Sequence, residues 1–257
     1  MTGGRPLRSA VLFLLALAAA AAVVFWLQQT LYLRPPADDL TPADGVAAVG
    51  APATRPVRTG GDGAAGAAAP GVPQVDPAWL RRTARAAGLD PTALAAYARA
   101  ELAAPTGCGL GWTTLAGIGW VESHHGTIGG RTLGADGRPS SEVLGPALDG
   151  RGPVAAIPAT PATTAYHGDP RWDHAVGPMQ FIPTTWETWG ADGDGDGDAD
   201  PHDLDDAALA AARYLCAGGR DLTTGRGWTD AVLSYNRSRA YLDAVHLAAT
   251  TYAGRPG

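Results

Sequence analysis

Glu122 is the residue whose type and setting best suit it to chemistry. It ends the stretch Leu115-Ala116-Gly117-Ile118-Gly119-Trp120-Val121-Glu122, four residues after Ile118 and seven after Leu115. In a helix those spacings put all three side chains on one face. A carboxylate among apolar side chains is costly unless it is neutral, paired or needed. Burial raises a carboxyl pKa, which suits such a group to donate a proton near neutral pH. The alternative is a helix rotated so that Glu122 points to water.

A second constellation is the run Asp-Gly-Asp-Gly-Asp-Gly-Asp-Ala-Asp-Pro-His-Asp at residues 192 to 203. It fits most of an EF-hand calcium loop, with Asp192, Asp194 and Asp196 at positions one, three and five and Gly197 at the turn. Asp198 and Asp203 complete the run. Position twelve is Asp203 where a bidentate Glu is usual, and Asp206 would serve in its place if the loop is longer than standard. Hard oxygens on a tight loop suit a structural calcium ion of weak, extracellular-type affinity. The alternative is a solvated acidic turn in which Asp203, Asp205 or Asp206 caps the next helix.

The elements that must position these residues read as helices. Asp76-Pro77 and Asp90-Pro91 each resemble an N-cap followed by proline at the first helical position. Leu94, Tyr97, Ala98 and Leu102 then recur at helical spacing. The helix of Glu122 is expected over about 112 to 125, closed by Gly126. Residues 127 to 172 are irregular, rich in Gly and Pro, with short strands as an option. A loop of that length tends to be functional. Further helices are expected after Pro183, over about 206 to 217, 229 to 235 and 239 to 252. The class is mainly α.

Residues 10 to 27 form an apolar run preceded by Arg5 and Arg8. It is long enough to span a bilayer, and the arginines favour a cytoplasmic N-terminus. We therefore expect residues 1–34 to be a cytoplasmic stub with a retained membrane anchor, a signal peptide being the rival. Residues 35–75 are rich in Pro, Ala and Gly and read as a flexible tether. Residues 76–257 are then expected to form one domain on the exported side of a single-pass membrane protein. The net charge of −6 argues against a nucleic-acid partner, and nothing singles out a protein partner. In an exported chain the two cysteines, Cys108 and Cys216, read as a disulfide, with two buried free thiols as the alternative.

Three stretches occur in order: Glu122-Ser123 at a helix end, Gly177-Pro178-Met179-Gln180-Phe181-Ile182-Pro183-Thr184-Thr185-Trp186, and Ser234-Tyr235-Asn236 followed by Tyr241. Over residues 76 to 253 this set resembles a lytic murein transglycosylase with a lysozyme-like (SLT-type) domain. It is most similar to the membrane-bound B-type branch and its exported actinobacterial relatives, which carry an EF-hand-like loop in the same place. The resemblance implies that Glu122 is the single catalytic acid/base and that Ser123 orients the carboxyl or a sugar. It implies that Gly177, Met179 and Gln180 line the cleft, with Gly177 admitting the glycan and Gln180 bonding the sugar or Glu122. Tyr235 and Asn236 would close the site. Tyr241 would be a direct contact or a core aromatic of the last helix.

The reaction so implied cleaves the glycosidic bond between N-acetylmuramic acid and N-acetylglucosamine in peptidoglycan strands without water, leaving 1,6-anhydro ends. It requires no cofactor. The chain has only four glutamates, Glu101, Glu122, Glu142 and Glu187. A hydrolytic muramidase would need a second carboxylate, such as Asp173 or Glu187, beside Glu122. A third reading is a non-catalytic peptidoglycan-binding module.

Overall fold

A computed structural model describes residues 49, 55–58, 71–152 and 154–255. The apolar run at 10–27, and with it the expected anchor, lies outside the described residues. Among the described residues no helix is long and apolar enough to cross a membrane.

The two Asp-Pro pairs start helices as expected. In α1 (Pro77–Ala87) the Asp76 carboxylate accepts the Trp79 amide at 2.6 Å, and in α2 (Pro91–Ala103) Asp90 accepts the Thr92 amide at 2.7 Å. The next helix, α3 (Trp112–Ser123), has Gly111 at its N-cap and so no capping side chain of its own. Glu101 of α2 supplies the missing acceptor, taking the Trp112 amide at 2.7 Å. A carboxylate there also complements the positive end of the helix dipole.

Helix α3 is buried on every side from Trp112 to Gly119. Its most extensive packing is against the last helix, α8 (Arg239–Ala253). Gly117 permits that closeness, since a Cβ there would stand 3.0 Å from the Val245 carbonyl oxygen. Behind them α2 packs on α6 (Leu204–Leu215), whose face of Ala207, Ala208, Ala211 and Ala212 lets the two axes approach. Helices α5 (Pro183–Trp189) and α7 (Gly225–Tyr235) complete the main body.

The irregular segment after α3 stays irregular, with a 3₁₀ turn at Ile128–Gly130 and one short helix, α4 (Pro161–Thr164). It also contributes two short antiparallel strands, β1 (Leu144–Ala147) and β2 (His174–Val176), in the register Leu144↔Val176 and Ala147↔His174. The fold is mainly α, with eight helices among the described residues. Cys108 and Cys216 form a disulfide joining the α2–α3 connection to the end of α6.

Some boundaries differ from expectation. Helix α3 ends at Ser123 rather than residue 125, because His124 and His125 turn left-handed. Helix α6 starts two residues early because Asp203 caps it, accepting the Asp205 amide at 2.8 Å. Helix α7 starts at Gly225 behind the Thr224 cap. Part of the expected tether is docked: the Val57 carbonyl accepts the Asp76 amide at 2.7 Å, Arg58 bridges Val75, and Pro56 is buried.

Candidate active site

Glu122 closes α3 on the buried face with Leu115 and Ile118 and is only 6% exposed. The rotated-helix alternative is excluded by that burial. Tyr241, buried on α8, donates its hydroxyl proton to Glu122 Oε1 at 2.6 Å. Burial pushes the Glu122 carboxyl up to about 8, and the Tyr241 hydrogen bond opposes that rise. Since Oε1 accepts from Tyr241, the acid form carries its proton on Oε2. Tyr241 is thus both a core aromatic and a direct partner of Glu122.

Three segments converge on this point. The Ser123 hydroxyl donates to the Pro178 carbonyl and accepts the Gly126 amide at 2.7 Å, tying the helix end to the turn after β2. The Tyr235 hydroxyl, at the end of α7, donates to the Met179 carbonyl at 2.8 Å. Burial, and then the nearby Glu122 charge, push the Tyr235 phenol well up. Asn236 follows as the half-buried C-cap of α7. Ser123 and Tyr235 therefore both bond to one turn, residues 177–180, with Glu122 beside Ser123 and bonded to Tyr241.

Within that turn the side chains have structural partners. Met179 is fully buried in the core. Gly177 has φ +76°, and a Cβ there would fall 1.7 Å from the Pro201 carbonyl oxygen, so its bare face meets backbone and not a glycan. Gln180 has φ +51° and its amide donates to the carbonyls of Gly177 at 2.9 Å and Val143 at 3.1 Å. Those bonds hold it to β2 and its surroundings instead of Glu122.

The two carboxylates that hydrolysis would call on, Asp173 and Glu187, have neighbours of their own. The Asp169 amide donates to His167 Nδ1 at 3.1 Å, which leaves His167 Nε2–H to donate to Asp173 Oδ1 at 3.2 Å. Asp173 is buried with that partner. Glu187 is exposed on α5, beside Tyr166.

In the aspartate run the candidate ligands divide. Oxygens of Asp192, Asp194 and Asp206 lie within 4.8 Å of one another. Asp206 is held by the amides of Gly193 at 2.6 Å and Asp200 at 2.8 Å. Its carboxyl is pushed up to about 7, first by burial and then by Asp194 and Asp192 against those two bonds. Asp203 stands apart as the α6 cap, 3.7 Å from Arg138. Asp196 and Asp198 are exposed and accept the loop amides of Asp198 and Ala199. The convergent set is hence Asp192, Asp194 and Asp206, one helical turn beyond the standard twelfth position. Three hard carboxylates at that spacing fit calcium.

His125 is a buried residue that helical spacing does not single out. Its buried ring lies between the hydroxyls of Tyr97 on α2, 2.9 Å from Nδ1, and Tyr252 on α8, 3.0 Å from Nε2. The available signal was a pair of histidines between a helix end and Gly126.

No curated protein matches the chain significantly. Among solved structures, the Escherichia coli lytic transglycosylase SLT35 in complex with bulgecin A is similar at 16% identity and a TM-score of 0.41, over 70% of this chain and 79% of that one. SltB3 from Pseudomonas aeruginosa in complex with NAG-anhNAM-pentapeptide is similar at 18% identity and a TM-score of 0.43, over 71% of this chain and 65% of that one. The E. coli SLT35 complex with calcium is similar at 15% identity and a TM-score of 0.40, over 70% of this chain and 79% of that one. Residues 165–232, which include the turn at 177–180 and the whole aspartate run, match the transglycosylase SLT domain family.

Proposed function

We propose that the protein is a peptidoglycan lytic transglycosylase in which Glu122 is the single acid/base. The observation that carries this reading is a buried carboxyl, hydrogen-bonded by Tyr241, whose neighbour Ser123 donates to Pro178 inside the stretch that matches the SLT domain family. The Glu122 Oε2 proton passes to the glycosidic oxygen between N-acetylmuramic acid and N-acetylglucosamine. The oxocarbenium-like centre is relieved by the substrate's own N-acetyl group. The resulting carboxylate takes the proton of the muramyl 6-hydroxyl as that oxygen attacks the anomeric carbon. One group serves both steps because they are successive, and an intramolecular nucleophile gains from proximity. The Tyr241 hydrogen bond strengthens as Glu122 becomes charged, so it favours the first transfer. The apolar run at 10–27 would tether the domain on the wall side of the membrane.

Incubating the full-length protein with purified peptidoglycan tests the reaction. Mass spectrometry should find 1,6-anhydro-ended muropeptides. Ends heavier by one water would make it a hydrolase.

Calcium held by Asp192, Asp194 and Asp206 is part of the same proposal, with a structural role. When bound, the ion would offset the like charge of the loop that precedes α6. At a dissociation constant near 10⁻⁴ to 10⁻³ M, about 10 mM calcium should stabilise the fold by about 1–3 kcal/mol. Magnesium should do less, and Asp206→Ala should abolish the effect. An unchanged melting temperature in the parent protein would remove the site from consideration.

A further inference from the structure

Helix α3 ends unusually. His124, His125 and Gly126 follow Ser123 at φ +52°, +60° and +84°, three consecutive left-handed residues. Left-handed backbone is unfavourable for a residue with a Cβ, so something must hold the turn. The His125 amide donates to the Gly119 carbonyl at 2.8 Å, folding the turn back on the helix. The His125 ring then spans two other helices, meeting Tyr97 of α2 at Nδ1 and Tyr252 of α8 at Nε2.

Room for this has been made in the sequence. Gly119 lies three residues before Glu122, and a Cβ there would fall 2.0 Å from the Tyr97 hydroxyl and 3.3 Å from His125 Nδ1. A side chain at 119 would break the Tyr97–His125 contact. With one ring nitrogen donating and the other accepting, a neutral imidazole satisfies both tyrosines, and burial favours that neutral form. Burial, with the neighbouring His124, lowers the His125 pKa to about 4, opposed by Asp90. Tyr97, Tyr252, His124 and Asp90 are the titratable groups around the ring. A three-helix junction of this kind fixes the last turn of α3, which bears Glu122.

We propose that His125, clamped between Tyr97 and Tyr252, is a positioning residue that holds the Glu122 carboxyl in its buried, Tyr241-bonded place. This rests on the reading of Glu122 as the acid/base. Loosening the clamp admits water to Glu122 and lets its carboxyl fall back toward the ordinary range. Small displacements of a reacting group cost large factors in rate.

The test uses the full-length protein labelled with ¹³C-glutamate. Only four glutamates are present, and Glu122→Gln assigns the signal of interest. In His125→Phe the Glu122 titration midpoint should fall by about one pH unit or more, and kcat by about tenfold or more, with KM within about twofold. His125→Gln, whose amide also offers one donor and one acceptor, should restore both. Tyr252→Phe and Tyr97→Phe, which keep the ring volume, should give smaller shifts of the same sign. They replace His125→Phe if that variant does not fold. A lower melting temperature with an unmoved Glu122 midpoint overturns the proposal and leaves the triad a stabilising core feature. If the parent protein cleaves no glycan, the functional reading fails while the midpoint still reports on positioning. If it cleaves and the midpoint stays put, only the positioning role fails.

Discussion

Replacing Glu122 by glutamine should leave the fold intact and lower glycan cleavage by about 10²–10⁴-fold, the range typical of a lost general acid/base. Glutamine keeps the carbonyl that accepts the Tyr241 hydrogen bond but has no proton to give and no charge to take one back. The size of the loss follows from what the site does to the carboxyl. At its ordinary value of 4.5 a glutamate would be protonated in about one molecule in 300 at pH 7. At about 8 it is protonated in about nine molecules in ten. The parent enzyme should accordingly stay active from weakly acidic to neutral pH. It should decline as pH rises through about 8, where the acid form is lost. Rates measured from pH 5 to 10 on soluble glycan fragments check both statements. A residual activity in Glu122→Gln above about one tenth would show that another group supplies the proton.

That site was partly legible in advance. Leu115, Ile118 and Glu122 share a face because helical spacing depends only on local sequence. The Asp-Pro starts of α1 and α2 were legible for the same reason, since a cap reaches only two or three residues. What escaped was non-local. Tyr241 lies 119 residues from Glu122 in sequence, and no periodicity reveals that its hydroxyl ends on Oε1. His125 belongs to a junction of three helices, and its left-handed backbone ended α3 two residues early. Met179, Gly177 and Gln180 have the right types for a cleft. Their roles are set by Pro201, Val143 and the core, which only the fold brings near them. In the aspartate run one carboxylate could not be both cap and ligand. Asp203 took the α6 N-terminus, and Asp206, one turn on, faces Asp192 and Asp194.

The burial that readies Glu122 for catalysis also costs stability, and Glu122→Gln should recover it. The folded carboxyl titrates at about 8 and the unfolded one at about 4.5. Below 4.5 both states hold the proton and no cost arises. Between 4.5 and 8 the unfolded state has lost its proton while the folded state keeps it. Unfolding is then favoured by about 1.4 kcal/mol for each pH unit, a loss that levels off above 8. At pH 7 the penalty approaches about 3 kcal/mol relative to pH 4. Glutamine is neutral at every pH, so the variant escapes the penalty. It should unfold close to the parent at pH 4 and on the order of 10 °C higher at pH 7. The pH dependence separates this effect from any change in packing, which would shift the variant equally at both pH values. Thermal unfolding of both proteins at pH 4 and pH 7, in buffers of equal ionic strength, is the measurement. Equal differences at the two pH values would mean that Glu122 titrates normally in the folded protein. The acid role would then lose its physical basis. A difference that opens only above pH 4.5 would tie the loss of activity and the gain in stability to one proton on Oε2.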